Sequence, residues 1–276
     1  MIGQLRLGFW VRVMTTAVAI SVALFPFLWM LRTSVASVEE QRSLAISPLP
    51  ASFDFGNYSA ALQEGNLISA MLNGFIVCAA ILAFQLITVV PAAFAFSVLR
   101  FRGRSVLFLT VLSALLIPVQ MTAVPNFLMM NQIGLIDTRW ALILPFATSA
   151  FGVFLIRQQM STVPTALVDA ARTDGLTTTQ TLLRVHTPLA MPAIAAFSLF
   201  SFYVHWNDYL WPLLVTRSES LRTPPLALAI FQQVELGFEF GKLCAGAAIV
   251  TMPVLIAFLL AQRRFVEGMA GGEIVG

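Results

Sequence analysis

The sequence predicts an all-α integral membrane protein with six transmembrane helices. Hydrophobic residues make up 58% of its 276 residues and charged residues only 11%, whereas a soluble domain carries roughly 25% charged residues. The charged residues also separate long charge-free runs, and a helix needs about 20 apolar residues to cross the hydrocarbon layer. We therefore expect one membrane domain over residues 1–276 rather than one or two soluble domains.

Six apolar runs are candidates for the spans. In chain order they are Val13–Leu31, a run between Glu64 and Arg100, a run between Arg104 and Asp137, Trp140–Ile156, Pro188–Trp206 and Leu243–Ala261. The second and third runs exceed one crossing but are too short for two, so each is predicted as one long or tilted helix. The first could be a signal peptide, since Ser34-Val35-Ala36 resembles a cleavage site. Its apolar run is longer than the usual signal core of about 7–15 residues, which favours a retained helix.

The arginines predict the orientation of the chain. They fall before the first span, between the second and third, between the fourth and fifth, and after the sixth: Arg6, Arg12, Arg100, Arg102, Arg104, Arg157, Arg172, Arg184, Arg263 and Arg264. The loops on the other side, at about 32–66 and 212–242, mix acidic with basic residues. Because cytoplasmic loops carry the excess of arginine and lysine, both termini and the 160–188 connection are expected in the cytoplasm.

The connection at about 160–188 is a polar interruption between apolar spans. Gly175 suits the left-handed conformation that ends a helix, and Thr177 with Gln180 forms a capping-box pattern that starts another. Pro188 is expected to end this second helix. The pattern predicts a helix–turn–helix at the membrane surface that suits docking of a soluble partner, and an ordinary amphipathic connector fits it equally well.

The same connection resembles the EAA signature of the permease subunits of ATP-binding-cassette (ABC) importers. The matching residues are Asp169, Ala170, Ala171, Asp174, Gly175, Val185 and Pro188. The sequence departs from the usual pattern in having aspartate for glutamate at 169, valine for isoleucine at 185 and threonine for leucine at 187. In that family the loop is the coupling helix that the ATPase subunit grips, so the resemblance implies that these residues couple the chain to a partner ATPase.

Three further segments, Phe53–Tyr58, Gly134–Thr138 and Trp206–Leu213, resemble carbohydrate-uptake permeases of this kind. The overall likeness is to the smaller permease of maltose- and glycerol-3-phosphate-type importers. It implies a type I importer transmembrane domain in a bacterial inner membrane. The implied partners are a second permease, two ATP-binding subunits, an extracytoplasmic solute-binding protein and membrane lipid. It also implies that the partner ATPase uses ATP and magnesium while this chain binds no cofactor. The pattern slightly favours a glycerol-3-phosphate or glycerophosphodiester solute over an oligosaccharide or amino sugar.

Candidate residues for the solute pathway are aromatic and polar side chains at span ends. At the end of the fifth span these are Trp206, Asn207, Asp208, Tyr209 and Trp211. Aromatic faces beside amide and carboxylate groups suit sugar or polyol recognition, and an interfacial aromatic belt fits the same residues equally well. Asp208 would repel a phosphate-bearing solute unless it faces elsewhere.

Two amides near the spans, Asn73 and Gln120, are also candidates for the solute pathway. Each could face a polar pathway or join two helices through a hydrogen bond. The sequence therefore leaves both roles open for these two side chains.

A secondary transporter without an ATPase partner is the main alternative. Ion-coupled carriers usually place ionisable residues within the membrane, whereas here no acid lies in the middle of a predicted span and His186 and His205 lie at span ends. This distribution favours the importer.

Enzymatic function is disfavoured, and no catalytic residue or metal site is predicted. Cys78 and Cys244 alone form neither a disulfide framework nor a zinc site, and no His-Glu-x-x-His pattern occurs. Ser198 and Ser201 have no base nearby in the sequence and are expected to serve helix packing. Nucleic-acid binding is also disfavoured, because the basic residues are not clustered on one face.

Overall fold

A computed structural model describes residues 2–42, 47–232 and 239–270. Parts of the predicted loops, residues 43–46 and 233–238, lie outside the described residues, as do residues 271–276. The side chains of Arg6, Arg263 and Arg264, which contribute to the predicted orientation, are also outside the description.

Every regular element within the described ranges is a helix. The α-helices are Ile2–Ser34, Val38–Arg42, Gly56–Glu64, Leu67–Ser97, Arg104–Ser113, Val119–Gln132, Arg139–Ile143, Ala150–Met160, Thr165–Thr173, Thr178–Thr181, Thr187–Leu189, Met191–Trp206, Leu210–Val215, Pro224–Leu228 and Phe240–Ala270. Short 3₁₀ helices cover Ala114–Leu116, Leu144–Phe146, Glu219–Leu221 and Ala229–Gln232, and Leu182–His186 forms a π-helix. The prediction of an all-α protein is confirmed.

Three single helices are long and apolar enough to cross a membrane: Phe9–Ser34, Leu67–Ser97 and Phe240–Leu259. They match the first, second and sixth predicted spans. The apolar side chains of Phe9–Ser34 are exposed along the helix, with none of its most apolar window buried. Such a surface suits contact with lipid, because water would penalise so many exposed apolar groups.

Three pairs of helices are long and apolar enough when taken together, although each pair bends sharply at a short break, so the candidate spans number up to six if each pair crosses once. The pairs are Arg104–Leu116 with Val119–Gln132, bent by 99°, Arg139–Phe146 with Ala150–Met160, bent by 44°, and Thr178–Leu189 with Met191–Trp206, bent by 76°. The prediction of a single long helix between Arg104 and Asp137 is therefore wrong. Ile117 is extended, with φ −89° and ψ 115°, because the ring of Pro118 excludes the helical conformation from the residue before it.

Pro188 does not end its helix, contrary to the prediction. It lies within Thr187–Leu189, and the break falls at Ala190. Before it, the backbone widens into the π-helix, where Thr187 donates to the carbonyl of Leu182, five residues earlier. A π-turn shifts the backbone hydrogen-bond pattern by one residue, next to a proline that has no N–H to donate.

Backbone contacts divide the chain into two compact units, Met1–Ile68 with Ala227–Met252 and Ser69–Leu226 with Pro253–Gly276. In the first unit, the buried amide of Asn57 donates to the carbonyls of Ser34 and Ala36 at 3.0 Å each. These bonds tie the helix Gly56–Glu64 to the end of the first helix and the residues just after it. The expectation of one membrane domain stays a prediction.

The core of the second unit lies between Leu67–Ser97, Ala150–Met160 and Met191–Trp206. Its buried apolar residues include Phe94, Ile156 and Phe197. Gly152 allows close packing here, since a methyl group at this position would lie 2.6 Å from Cε2 of Phe197. All the site residues described next belong to this unit.

Candidate functional site

The 160–188 connection folds as a helix, a tight turn and a second helix, as predicted. Thr165–Thr173 buries Val168 and Ala171 and exposes Asp169 and Ala170. Asp169 lies 3.8 Å from the guanidinium of Arg172, and both side chains are about two-thirds exposed (70% and 67%). An exposed pair of this kind contributes little stability, so its charges stay available to a docking partner.

Local hydrogen bonds define the turn between the two helices. Gly175 has φ +75° and its N–H donates to the carbonyl of Arg172, while Leu176 donates to Ala171, both at 3.0 Å. This is a Schellman motif, in which a left-handed residue satisfies the last carbonyls of a helix. Asp174 lies exposed just before Gly175.

The second helix begins at the predicted capping box. Gln180 N–H donates to the hydroxyl of Thr177 at 3.3 Å, and Thr177 N–H donates to Oε1 of Gln180 at 2.9 Å. Both ends of the turn are therefore fixed by hydrogen bonds, between backbone groups at Gly175 and between backbone and side chain at Thr177. Val185 is half-buried and Pro188 is exposed, so the predicted coupling residues lie along one connection but only part of the set is accessible.

The two tryptophans of the predicted solute pathway are packed inside the second unit. Trp206, 1% exposed, stacks on Phe202 at 5.3 Å and meets Phe75 at 4.7 Å between ring centroids. Trp211 donates its indole N–H to the carbonyl of Ala141 at 2.9 Å. Neither ring is placed on an accessible surface in this conformation.

The remaining predicted pathway residues are scattered. Asn73 is buried, donates to the carbonyl of Leu221 at 2.7 Å and accepts from Nε of Arg139 at 2.9 Å. These bonds join Leu67–Ser97 to the short helices Glu219–Leu221 and Arg139–Ile143. Of the four others, Gln120, Asn207 and Tyr209 are exposed and Asp208 is half-buried.

Asp208 lies in the wall of a cavity of about 330 Å³, here called the Gln85 cavity. Its lining residues are Gln85, Val119, Phe146, Thr148, Ser149, Phe197, Phe200, Ser201, Val204, His205 and Asp208. Burial raises the pKa of the Asp208 carboxyl, although the N–H groups of Trp211 and Leu210 donate to it and oppose the rise. The cavity thus combines aromatic faces, hydroxyls, an amide and a carboxyl.

A buried hydrogen-bond network forms one side of the Gln85 cavity. Ser201 donates to Oε1 of Gln85 at 2.5 Å, and Nε2 of Gln85 donates to the carbonyl of Phe146 at 3.0 Å. The same nitrogen lies 3.3 Å from Nε2 of His205. Such a network holds the polar groups in fixed positions, because each buried group has a partner.

Ser201 donates across to Gln85 on another helix, in line with the helix packing expected from the sequence. That the same hydroxyl lines the Gln85 cavity was not predicted from the sequence. A signal was present, because Ser201 and His205 are four residues apart and share one helix face. Gln85 is an amide inside a charge-free run, and polar residues in spans usually face the protein interior. The Ser201–His205 spacing and the amide of Gln85 therefore point to residues that line the cavity, whereas Trp206 and Trp211 do not line it.

The described residues contain no group of three or more His, Cys, Asp or Glu side chains arranged to hold a metal ion. The site therefore consists of two parts, the exposed 160–188 connection and the Gln85 cavity. The first offers a docking surface, and the second offers hydrogen bonds and aromatic faces to a polar solute.

Comparison with known proteins gives a consistent set of relatives. Residues 1–270 match the family model described as "Binding-protein-dependent transport system inner membrane component". The chain is 29% identical to the lactose transport system permease protein LacG of Rhizobium radiobacter, over 92% of each chain. It is 31% identical to the arabinooligosaccharides transport system permease protein AraQ of Halalkalibacterium halodurans, again over 92% of each.

A solved structure shares the fold over nearly the whole chain. It belongs to a bacterial ABC transporter involved in the import of the acidic polysaccharide alginate. The TM-score is 0.81 at 27% sequence identity, and the match covers 94% of this chain and 97% of that chain.

Proposed function

The chain belongs to the family of inner-membrane components of binding-protein-dependent transport systems, and on that premise we propose that it carries oligosaccharides across the membrane. It is a permease subunit of an ABC importer for sugars, and ATP is hydrolysed by a partner subunit rather than by this chain. The proposal concerns the solute, the subunits that surround the chain and the route of coupling.

The proposed assembly contains a second, different permease, two ATP-binding subunits and an extracytoplasmic solute-binding protein. The assembly is supported by the family match and by relatives whose sequences align with more than nine-tenths of this chain. This chain binds no cofactor in the proposal, and ATP with magnesium is held by the ATPase subunits.

The 160–188 connection is the proposed contact with the ATPase. The observation that carries this is the bonded turn at Gly175, which fixes an exposed Asp169-Ala170 edge on a short helix. The edge has small side chains, so a partner can approach the backbone closely. The arginine distribution predicts that this edge is in the cytoplasm, where ATP is available.

The Gln85 cavity is the proposed contact with the solute. Its aromatic faces can stack on sugar rings and its amide and hydroxyl groups can exchange hydrogen bonds with sugar hydroxyls. Asp208 in the wall disfavours a phosphate-bearing solute, because like charges repel. The relatives with lactose and arabinooligosaccharide names favour the same class, and they lend no support to a glycerol phosphate.

In the proposed mechanism, closure of the ATPase pair moves the 160–188 connection. The breaks at Pro118 and Ala190 let helix segments change direction without bending an intact helix. The Gln85 cavity is then exposed alternately to the two sides of the membrane.

Affinity purification of the tagged chain from mild detergent, with mass spectrometry of the subunits, tests the assembly. We expect an ATPase and a second, different permease to co-purify. A stable monomer or homodimer without an ATPase would contradict the importer and favour the secondary transporter.

Reconstituted uptake tests the solute class. We expect binding-protein-dependent uptake of oligosaccharides to resist competition by glycerol 3-phosphate, and Asp208→Asn to weaken that discrimination. Efficient uptake of glycerol 3-phosphate by the unmodified importer would refute the oligosaccharide assignment.

A further inference from the structure

A second cavity, here called the His186 cavity, lies beside the 160–188 connection and has a volume of about 700 Å³. Its wall is formed by the turn after Leu67–Ser97, the end of Ala150–Met160, the helix Thr165–Thr173 and His186. The proposed sugar transport gives this cavity no role, since its lining residues differ from those of the Gln85 cavity.

The wall of the His186 cavity is strongly cationic. It includes Arg100, Arg104 and Arg172, and its one carboxylate is Asp169. Arg104 is anchored to its turn by a 2.9 Å bond from Nη1 to the carbonyl of Leu99. Guanidinium groups present several N–H donors in a planar fork, which matches the oxygens of a phosphate group.

His186 is the second, independent observation. Its side chain is 1% exposed and packs edge-on against Phe94 at 5.0 Å between ring centroids. Neither ring nitrogen has a hydrogen-bond partner among the described residues. Buried polar atoms are nearly always hydrogen-bonded, so an imidazole in the wall of a cationic cavity that is unpaired among the described residues indicates a bound ligand as its partner.

The surroundings of the arginines indicate a lipid as the source of the phosphate. Phe101, next to Arg100, is 40% exposed, and Val106 and Leu107, just after Arg104, are 67% and 52% exposed. Exposed apolar residues beside arginines mark the level where the hydrocarbon layer meets the headgroups. Basic pockets between helices on the cytoplasmic side bind anionic headgroups, and the arginines predict that this side is cytoplasmic.

We propose that the His186 cavity binds the phosphate group of an anionic phospholipid. Arg100, Arg104 and Arg172 hold the phosphate oxygens, and His186 donates a further hydrogen bond. The lipid joins the turn at residues 97–104 to the helix Thr165–Thr173, and so supports the connection from its membrane side.

The test uses the intact importer purified in a mild neutral detergent. Dihexanoylphosphatidylglycerol is titrated against it, with dihexanoylphosphatidylcholine and inorganic phosphate in parallel, and binding is measured by the rise in Tm of the complex. The variants are Arg100→Gln and His186→Phe, which keeps an aromatic ring against Phe94. Arg102→Gln is the matched control, because Arg102 lies in the same turn, is exposed and does not line the cavity.

We expect the anionic lipid alone to raise Tm. Arg100→Gln should weaken its binding about fivefold, the factor that corresponds to roughly 1 kcal/mol for one arginine near an anionic surface. Arg102→Gln should bind like the unmodified complex. His186→Phe should keep its Tm without lipid and lose most of the lipid-dependent rise, which distinguishes a ligand contact from a packing role.

Three results would overturn the proposal. Equal weakening by Arg100→Gln and Arg102→Gln would show general surface attraction rather than binding in the cavity. Inorganic phosphate that raised Tm as well as the lipid would make a free anion the ligand. Lipid binding that appeared only after removal of the ATPase would show that the ATPase itself fills the cavity.

Discussion

Substitution of Gly175 by valine tests whether the bonded turn couples this chain to the ATPase. Gly175 has φ +75°, a conformation that glycine adopts freely and other residues rarely. Its N–H and that of Leu176 close the Schellman motif on Arg172 and Ala171 at 3.0 Å each. A side chain that disfavours this φ therefore acts directly on the edge that presents Asp169.

The cost follows from the backbone. No heavy atom outside the immediate chain lies within 4 Å of a Cβ at Gly175, so the substitution creates no collision. The left-handed conformation costs an ordinary residue roughly 1–2 kcal/mol. Opening the turn to avoid that cost gives up two hydrogen bonds, each worth about 1 kcal/mol. Either way, the docking-competent turn is destabilised by about 1–2 kcal/mol, and every 1.4 kcal/mol is about tenfold in affinity.

The assay measures ATPase co-purification, binding-protein-stimulated ATP hydrolysis and uptake in proteoliposomes. Gly175→Val should lower the amount of bound ATPase about tenfold at limiting concentration, or leave hydrolysis without uptake. Gly175→Asn is the matched control, since asparagine tolerates the left-handed region, and it should behave much like the unmodified chain. Normal assembly and uptake by the valine variant would refute the reasoning.

Three other substitutions test the structure of the second unit. Gly152→Ala places a methyl group 2.6 Å from Cε2 of Phe197, and such overpacking should cost about 1–3 kcal/mol, seen as a lower Tm that Phe197→Leu restores. The hydroxyl and N–H of Ser218 donate to Asp137 and lower the pKa of its carboxyl below 3.8. These bonds stabilise the loop at neutral pH and weaken as the pH falls through this lowered pKa, so the loop's hydrogen-exchange protection should drop with acid. Asp137→Asn should remove that acid dependence. Asn73→Ala breaks bonds to two backbone carbonyls and a guanidinium and should lower stability by about 1–3 kcal/mol; a changed solute preference would contradict this structural role.

Features fixed by neighbouring residues could be predicted from the sequence. The helix end at Gly175 and the capping box of Thr177 with Gln180 depend on bonds within a few residues, and both form as predicted. The apolar spans could be predicted for the same reason, because the length and hydropathy of a run are local properties.

Features that depend on packing between distant residues could not be predicted from the sequence in this way. Trp206 and Trp211 suit a membrane interface or a sugar site by composition, but which way a ring points depends on distant helices, and both are buried. The sharp bend at Pro118 had a local signal in the proline. The long apolar run around this proline nevertheless led to the prediction of one continuous helix.

The two parts of the candidate site are joined through one short stretch of chain. The helical segment Thr178–Leu189 leads through Ala190 into Met191–Trp206, which carries Ser201 and His205 of the Gln85 cavity. A displacement of the 160–188 connection therefore reaches the cavity wall along a single backbone path within one unit. Because the path bends by 76° at Ala190, a shift of the first segment changes the direction of the second instead of pushing it along its axis. This geometry suits a rotation of the cavity wall, which is the motion that the proposed alternating access requires of this chain.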